Sequence, residues 1–297
     1  MNPEGALGLL LIQTGLEMHS IGLTLSGGGM KGMAHLGVLK YLEEIDLKVD
    51  LIAGTSAGAL AGSLYATGYS PEEILNIGEE IYKEVSRKPL KYSQFIHKQG
   101  LLKTELIAEL FAKHLGDDKF EKLKTDLMVF STNMNSGEQV IFTSGIRSIE
   151  VSKAVWASAA YPFVFSPVKI GDSLCSDGGI LNHFPAELCK SECRYVIGSY
   201  VSPLSAMSDD DLDNATSIAL RAMSLQGLVH EQENFAHCDV LLNPEGLTEY
   251  TTFEISFSKA KVIFELGYNE AKKHHNQLLK LKMLAEFDEM CDEDMGV

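Results

Sequence analysis

Positive charge is scarce in this 297-residue chain: 25 Lys and Arg stand against 41 Asp and Glu, a formal net charge of −16. That balance argues against a nucleic-acid partner and against electrostatic adhesion to anionic membranes, so affinity for lipid has to be apolar. Cysteine is sparse as well. Cys175, Cys189, Cys193, Cys238 and Cys291 are odd in number, irregularly spaced and without a Cys-x-x-Cys pair. This argues against a disulfide framework and fits a reducing compartment, with a cytoplasmic location as the expectation. No apolar run reaches the ~18 residues that read as a membrane span. The early run from Ala6 to Ile12 follows Glu4, where a secretory signal carries Lys or Arg, so no signal peptide is expected. No His, Asp and Glu set has metal-ligand spacing. Asp209-Asp210-Asp211 lies in a polar stretch after Ser202-Pro203 that reads as a loop, and no cofactor is expected.

What the chain has is an ordinary globular balance, 45% hydrophobic and 22% charged residues, enough for one large core or two small ones. From Ile21 onward short apolar runs alternate with helical periodicities, without internal repeats, which argues for a layered α/β fold. Strands are expected at residues 21–25, 51–54, 127–133, 139–143, 174–176, 195–200 and 240–242. Helices are expected after residue 32, from Ser70-Pro71-Glu72-Glu73, and at residues 104–114, 149–160 and 215–232, with one long helix from about Lys259. Asn135-Ser136-Gly137 reads as a hairpin turn. Residues 1–20 read as an extension, with Met18 as an alternative start, residues 21–285 as the domain, and residues 286–297 as an acidic, frayed tail.

Two glycine-rich corners stand out. Gly54-Thr55-Ser56-Ala57-Gly58 joins a strand to an Ala/Leu-rich helix. A serine between glycines at such a corner is the sequence form of a nucleophile elbow, because the tight turn leaves room only for small neighbours. A plain strand-to-helix corner is the alternative reading. Ser26-Gly27-Gly28-Gly29-Met30-Lys31-Gly32 follows the first strand and also fits a dinucleotide fingerprint. Against that, Asp50 stands at the start of the second strand and not at its carboxyl end. Met33 stands where a phosphate-binding P-loop requires lysine. What survives is a nest of backbone N–H groups suited to an anionic centre. Among nine histidines none sits in an evident triad: His35 reads as a packed or capping residue, and His183, six residues after Asp177, as the runner-up base or a loop residue. Asp177-Gly178-Gly179 is either a turn or a carboxylate that another loop approaches closely.

Taken together, these stretches resemble the patatin-like phospholipase family, particularly bacterial members similar to the esterase domain of neuropathy target esterase. The resemblance runs from about Ile21 to Pro203. It rests on the glycine loop with His35-Leu36-Gly37, the Ser56 elbow, Ala154-Val155-Trp156-Ala157-Ser158-Ala159-Ala160-Tyr161-Pro162-Phe163, and Asp177-Gly178-Gly179 followed by Asn182, Phe184 and Pro185. It implies a three-layer α/β/α sandwich with a mostly parallel central sheet and a Ser–Asp dyad: Ser56 as nucleophile, Asp177 as base, and the Gly27, Gly28 and Gly29 amides as oxyanion hole. Lys31, Gly32, Gly54, Gly58, Gly178 and Gly179 support these motifs. Lys31 stands where many members carry arginine, and Gly179 where alanine is frequent. The implied reaction is hydrolysis of phospholipid or lysophospholipid acyl esters, with acyl transfer, thioester cleavage or non-catalytic lipid binding as alternatives. Residues 87–103 interleave Arg87, Lys88, Lys91, Lys98 and Lys103 with Leu90, Tyr92, Phe95 and Ile96. That stretch reads as a solvated connection or as a flap in transient contact with lipid.

Overall fold

The apolar runs become the strands of one eight-stranded sheet in a computed structural model that describes residues 18–87, 104–145, 149–252 and 257–295. The strands are β1 (His19–Leu25), β2 (Leu51–Thr55), β3 (Asp126–Asn133), β4 (Glu138–Phe142), β5 (Val168–Ile170), β6 (Ser173–Asp177), β7 (Cys193–Ser199) and β8 (Val240–Leu242). They lie in the order β5-β6-β3-β2-β1-β7-β8, with β4 also pairing β3. The pairs β1–β2, β1–β7, β2–β3 and β7–β8 are parallel, and β3–β4, β3–β6 and β5–β6 are antiparallel. Strand β2, at the centre, is buried along its whole length. Its Leu-Ile-Ala-Gly-Thr sequence is the unbroken small and apolar run expected of a strand covered on both faces.

The helices are α1 (Met33–Glu44), α2 (Ala57–Thr67), α3 (Pro71–Arg87), α4 (Thr104–Ala112), α5 (Val151–Ser158), α6 (Ala186–Glu192), α7 (Ala215–Phe235), α8 (Ala260–Lys273) and α9 (His275–Met295). Successive strand residues point to opposite faces. Leu23, Leu25, Ile52, Leu127 and Val129 therefore pack with α1, α2, α5 and α8 on one side. Leu51, Ala53, Met128, Phe130 and Val196 pack against Cys189 of α6 on the other. These are the three layers expected. The start of α3 is fixed by a reciprocal cap, in which the Ser70 amide donates to Glu73 at 2.8 Å and the Glu73 amide donates to Ser70 Oγ at 3.3 Å, with Pro71 preset for the first turn.

Two expectations need correction. The long helix from Lys259 is broken at His274 into α8 and α9. The acidic tail is helical as far as Met295 because its acids find partners: Asp288 accepts from Tyr195 Oη at 2.8 Å, and Asp292 accepts from Arg194 at 2.8 Å. Asp50 has a structural use, its carboxylate accepting the Ile21 amide at 2.8 Å. The basic and aromatic stretch at residues 88–103 lies outside the described residues. Among those described, no helix is long and apolar enough to cross a membrane.

Candidate active site

Strand β3 determines where the site forms. Residues 129–133 of β3 pair with β4 along one edge, so β2 (pairing 126–130) and β6 (pairing 131–133) must share the other edge. Thr55 therefore ends β2 opposite Phe130, and Asp177 ends β6 opposite Ser131, one residue further along. The residue after Thr55 is Ser56, which turns the chain into α2 with φ 52° and ψ −117°. A side chain in that region costs about 1–3 kcal/mol and persists only where the surroundings impose it. Here they do. A Cβ on Gly58 would lie 2.3 Å from the Leu25 carbonyl oxygen, and one on Gly54 would lie 2.8 Å from the Gly58 carbonyl oxygen. The elbow thus closes only with the small residues the motif supplies.

The two residues meet directly. Ser56 Oγ donates to Asp177 Oδ2 at 2.7 Å, and the Gly179 amide donates to Asp177 Oδ1 at 2.7 Å. The carboxylate is further located through its own backbone, since Thr132 Oγ1 donates to the Asp177 carbonyl at 2.9 Å and the Asp177 amide donates to the Ala160 carbonyl at 3.1 Å. Gly178 lies against β3, where a Cβ would sit 2.2 Å from the Phe130 carbonyl oxygen. Asp177 is 1% exposed. Burial pushes its carboxyl up from 3.8 to about 6, against the opposing pull of the Ser56 and Gly179 hydrogen bonds and of nearby His183. A carboxylate raised in this way is a better base than one in water.

The glycine loop faces this pair, held by bonds that separate its three amides. The Gly27 amide donates to the His183 carbonyl at 3.0 Å. It is therefore committed to the scaffold, and the expectation that Gly27 donates to an oxyanion is corrected. The amides of Gly28 and Gly29 have no partner among the described residues, and neither do the first amides of α2, as at any helix N-terminus. Gly29 holds φ +56°, and a Cβ there would lie 2.2 Å from the Thr252 carbonyl oxygen, so that corner admits no other residue. Gly32 lets the loop approach α2, a Cβ there falling 2.7 Å from Ala57 Cβ. Lys31 is 4% exposed, forms no ion pair among the described residues, and is driven below its ordinary value by burial.

The two histidines nearest the loop are held differently. His35 is fully buried on α1, with Nε2 2.9 Å from the Ser26 carbonyl and Nδ1 2.8 Å from Ser199 Oγ. A carbonyl only accepts, so Nε2 carries the proton and Nδ1 accepts from the serine. Burial lowers the His35 pKa to about 4, which keeps the ring neutral. The His183 ring lies between Gly27 and Gly179, and its Nε2 is buried without a partner. Among the described residues no histidine bonds Ser56. Reading the sequence missed Ser158, whose buried Oγ accepts the Ser56 amide at 2.9 Å and so helps fix the elbow. The only signal for it was a serine inside the small-residue run from Ala157 to Ala160.

Ala57, the residue after Ser56, lines an apolar cavity of about 200 Å³ together with Gly29, Leu60, Trp156, Phe165 and others. Among the described residues no group of three His, Cys, Asp or Glu side chains gathers to hold a metal ion. The arrangement can present a nucleophilic oxygen, accept its proton, receive negative charge on backbone amides and accommodate an apolar group alongside.

Comparison with known proteins gives a consistent result. The sequence is 30% identical over 187 residues to an uncharacterized NTE family protein of Mycobacterium tuberculosis, a match covering 63% of this chain and 31% of that one. It is 30% identical over 188 residues to the lysophospholipase NTE1 of Debaryomyces hansenii, covering 61% of this chain and 12% of that one. The chain thus spans about a third or less of the length of these relatives. Among solved structures, human GIVD cytosolic phospholipase A2 in complex with a methyl gamma-linolenyl fluorophosphonate inhibitor and terbium chloride shares the fold. That match has a TM-score of 0.51 at 13% identity, covering 95% of this chain and 62% of that one. The sequence model of patatin-like phospholipases matches residues 23–190, a stretch that holds the glycine loop, the Ser56 elbow and Asp177, and the chain belongs to that family.

Proposed function

We propose that this protein hydrolyses fatty-acyl esters of phospholipids or lysophospholipids by a Ser56–Asp177 dyad working through an acyl-enzyme. The observation that carries this reading is the 2.7 Å bond from Ser56 Oγ to Asp177 Oδ2 beside an apolar cavity. Asp177 takes the Ser56 proton as Oγ attacks the ester carbonyl carbon, and the carbonyl oxygen becomes an oxyanion facing the Gly28 and Gly29 amides. Collapse of the tetrahedral intermediate expels the alcohol, which receives the proton back from Asp177 and leaves an ester between Ser56 and the fatty acid. Water, deprotonated by Asp177, then attacks that ester and releases the acid. A carboxylate is a weak base for an alcohol even at a pKa of about 6, so the amides carry much of the acceleration, each worth about 2.7–4 kcal/mol. Family membership and the name of the NTE1 relative support a lipid ester as substrate.

The deciding experiment combines labelling with turnover. A fluorophosphonate probe is expected to modify Ser56 in the wild-type protein and to leave Ser56→Ala unlabelled. Ser56→Ala and Asp177→Asn are each expected to lose roughly a thousandfold or more in hydrolysis of a p-nitrophenyl ester and of a lysophospholipid. Full activity in either folded variant would remove the dyad.

A further inference from the structure

The cavity that begins at Ala57, next to Ser56, extends along α2. Ala57, Ala61 and Leu64 line it from α2, spaced so that all three fall on one face of the helix. With the carbonyl carbon held at Ser56, an acyl chain entering the cavity runs along that face. Leu64 follows Ala57 by seven positions of α-helix, a rise of about 10 Å. At the far end Leu64, Ile74, Ile77 and Phe111 also line the cavity and are 3%, 5%, 6% and 4% exposed. Packed side chains therefore stand at the end away from the nucleophile.

From this geometry we infer that the enzyme measures acyl chains against α2 and selects medium-length ones, with Ala61 setting the width half-way down and Leu64 and Phe111 forming the stop. The inference rests on the ester-hydrolase reading above. An apolar cavity of about 150 Å³ takes up benzene, so the volume present here, about 200 Å³, holds roughly eight carbons. Each methylene up to that point is buried in an apolar wall, which raises kcat/KM by about fourfold, the equivalent of ~0.8 kcal/mol per CH2. Beyond it a chain must leave the cavity or displace packed side chains, and the gain reverses.

The test is a series of p-nitrophenyl esters from acetyl to palmitoyl in one fixed detergent, with fluorophosphonate labelling of Ser56 run in parallel. The wild-type protein is expected to peak near octanoyl and to fall at least tenfold by palmitoyl. Ala61→Leu, which fills the middle of the cavity, is expected to lower the octanoyl-to-acetyl ratio at least tenfold. Leu64→Ala is expected to move the peak two to three carbons longer, and Phe111→Leu serves as a milder second variant that also lengthens it. A profile rising through palmitoyl, or one identical in all variants while Ser56 still labels, would overturn the ruler and leave the dyad standing. Absence of labelling and turnover in the wild-type protein would overturn the ester-hydrolase reading itself.

Discussion

Replacing Asp177 with asparagine is expected to abolish turnover and to stabilise the fold at neutral pH. The carboxyl is 1% exposed and its pKa rises from 3.8 to about 6 because burial penalises the charged form. A group raised on folding contributes stability that is fully present below its unfolded pKa of 3.8 and lost as the pH rises through about 6. At about 1.4 kcal/mol per unit, the ionised wild-type residue costs about 3 kcal/mol at pH 8. Asparagine has the same shape, can accept from the Gly179 amide and donate to Ser56 Oγ, and carries no charge to desolvate. The advantage of Asp177→Asn over wild type should therefore widen by about 2 kcal/mol between pH 4.5 and pH 8. In a domain of this size that amounts to about 4 °C in melting temperature. Urea unfolding at the two pH values, with unchanged slope as the check on two-state behaviour, measures it directly. An advantage that stays constant with pH, or that shrinks toward pH 8, would refute the assignment of a charge-penalised carboxylate.

The same carboxyl predicts an acidic limb in the rate: kcat/KM for a neutral ester should fall about tenfold per pH unit below about 6 and be absent from the profile of a variant lacking the base. His183→Gln should keep turnover within roughly tenfold of wild type. Its backbone carbonyl still holds the Gly27 amide, whereas loss of a true base costs ~10²-fold or more. Complete loss in a folded His183→Gln protein would instead indicate a histidine-based triad. Gly29→Ala should lower kcat by about a hundredfold through displacement of one oxyanion donor. It should also lower the melting temperature, because the new Cβ meets the Thr252 carbonyl oxygen at φ +56°. Comparing its kcat with its thermal midpoint separates the two effects.

The elbow and the Asp-Gly-Gly corner were legible because each is a local sterically constrained object. A Cβ on Gly54, Gly58 or Gly178 would come within 2.8 Å of a backbone oxygen, and a sequence records such positions directly as glycine. The partnership between them was not legible from spacing, since it depends on the register of β3 and spans 121 residues. The commitment of the Gly27 amide was hidden for the same reason: its acceptor, the His183 carbonyl, lies far along the chain. Local charge misled the reading of the C-terminus. Asp288 and Asp292 suggest fraying when counted alone and an anchored helix once Arg194 and Tyr195 are placed opposite them. The break at His274 carries no glycine or proline to announce it.

The shared edge of β3 also has a bearing on how the protein comes to be active. The Ser56 elbow itself is closed by neighbours in sequence, with Gly54 packed on Gly58 and Gly58 on Leu25 of β1, although β1 also pairs with the distant β7. Asp177, the base under the proposed mechanism, arrives on a strand made of residues 173–177 that must find residues 131–133 after more than half the chain has been synthesised. Closing such long loops costs entropy before any contact repays it, so non-local antiparallel pairings are slow to form. A partly folded or truncated chain can therefore bend Ser56 into its elbow and still be chemically silent. Under the proposed dyad, turnover is expected only once β6 has docked on β3, and its recovery during refolding would then report that docking.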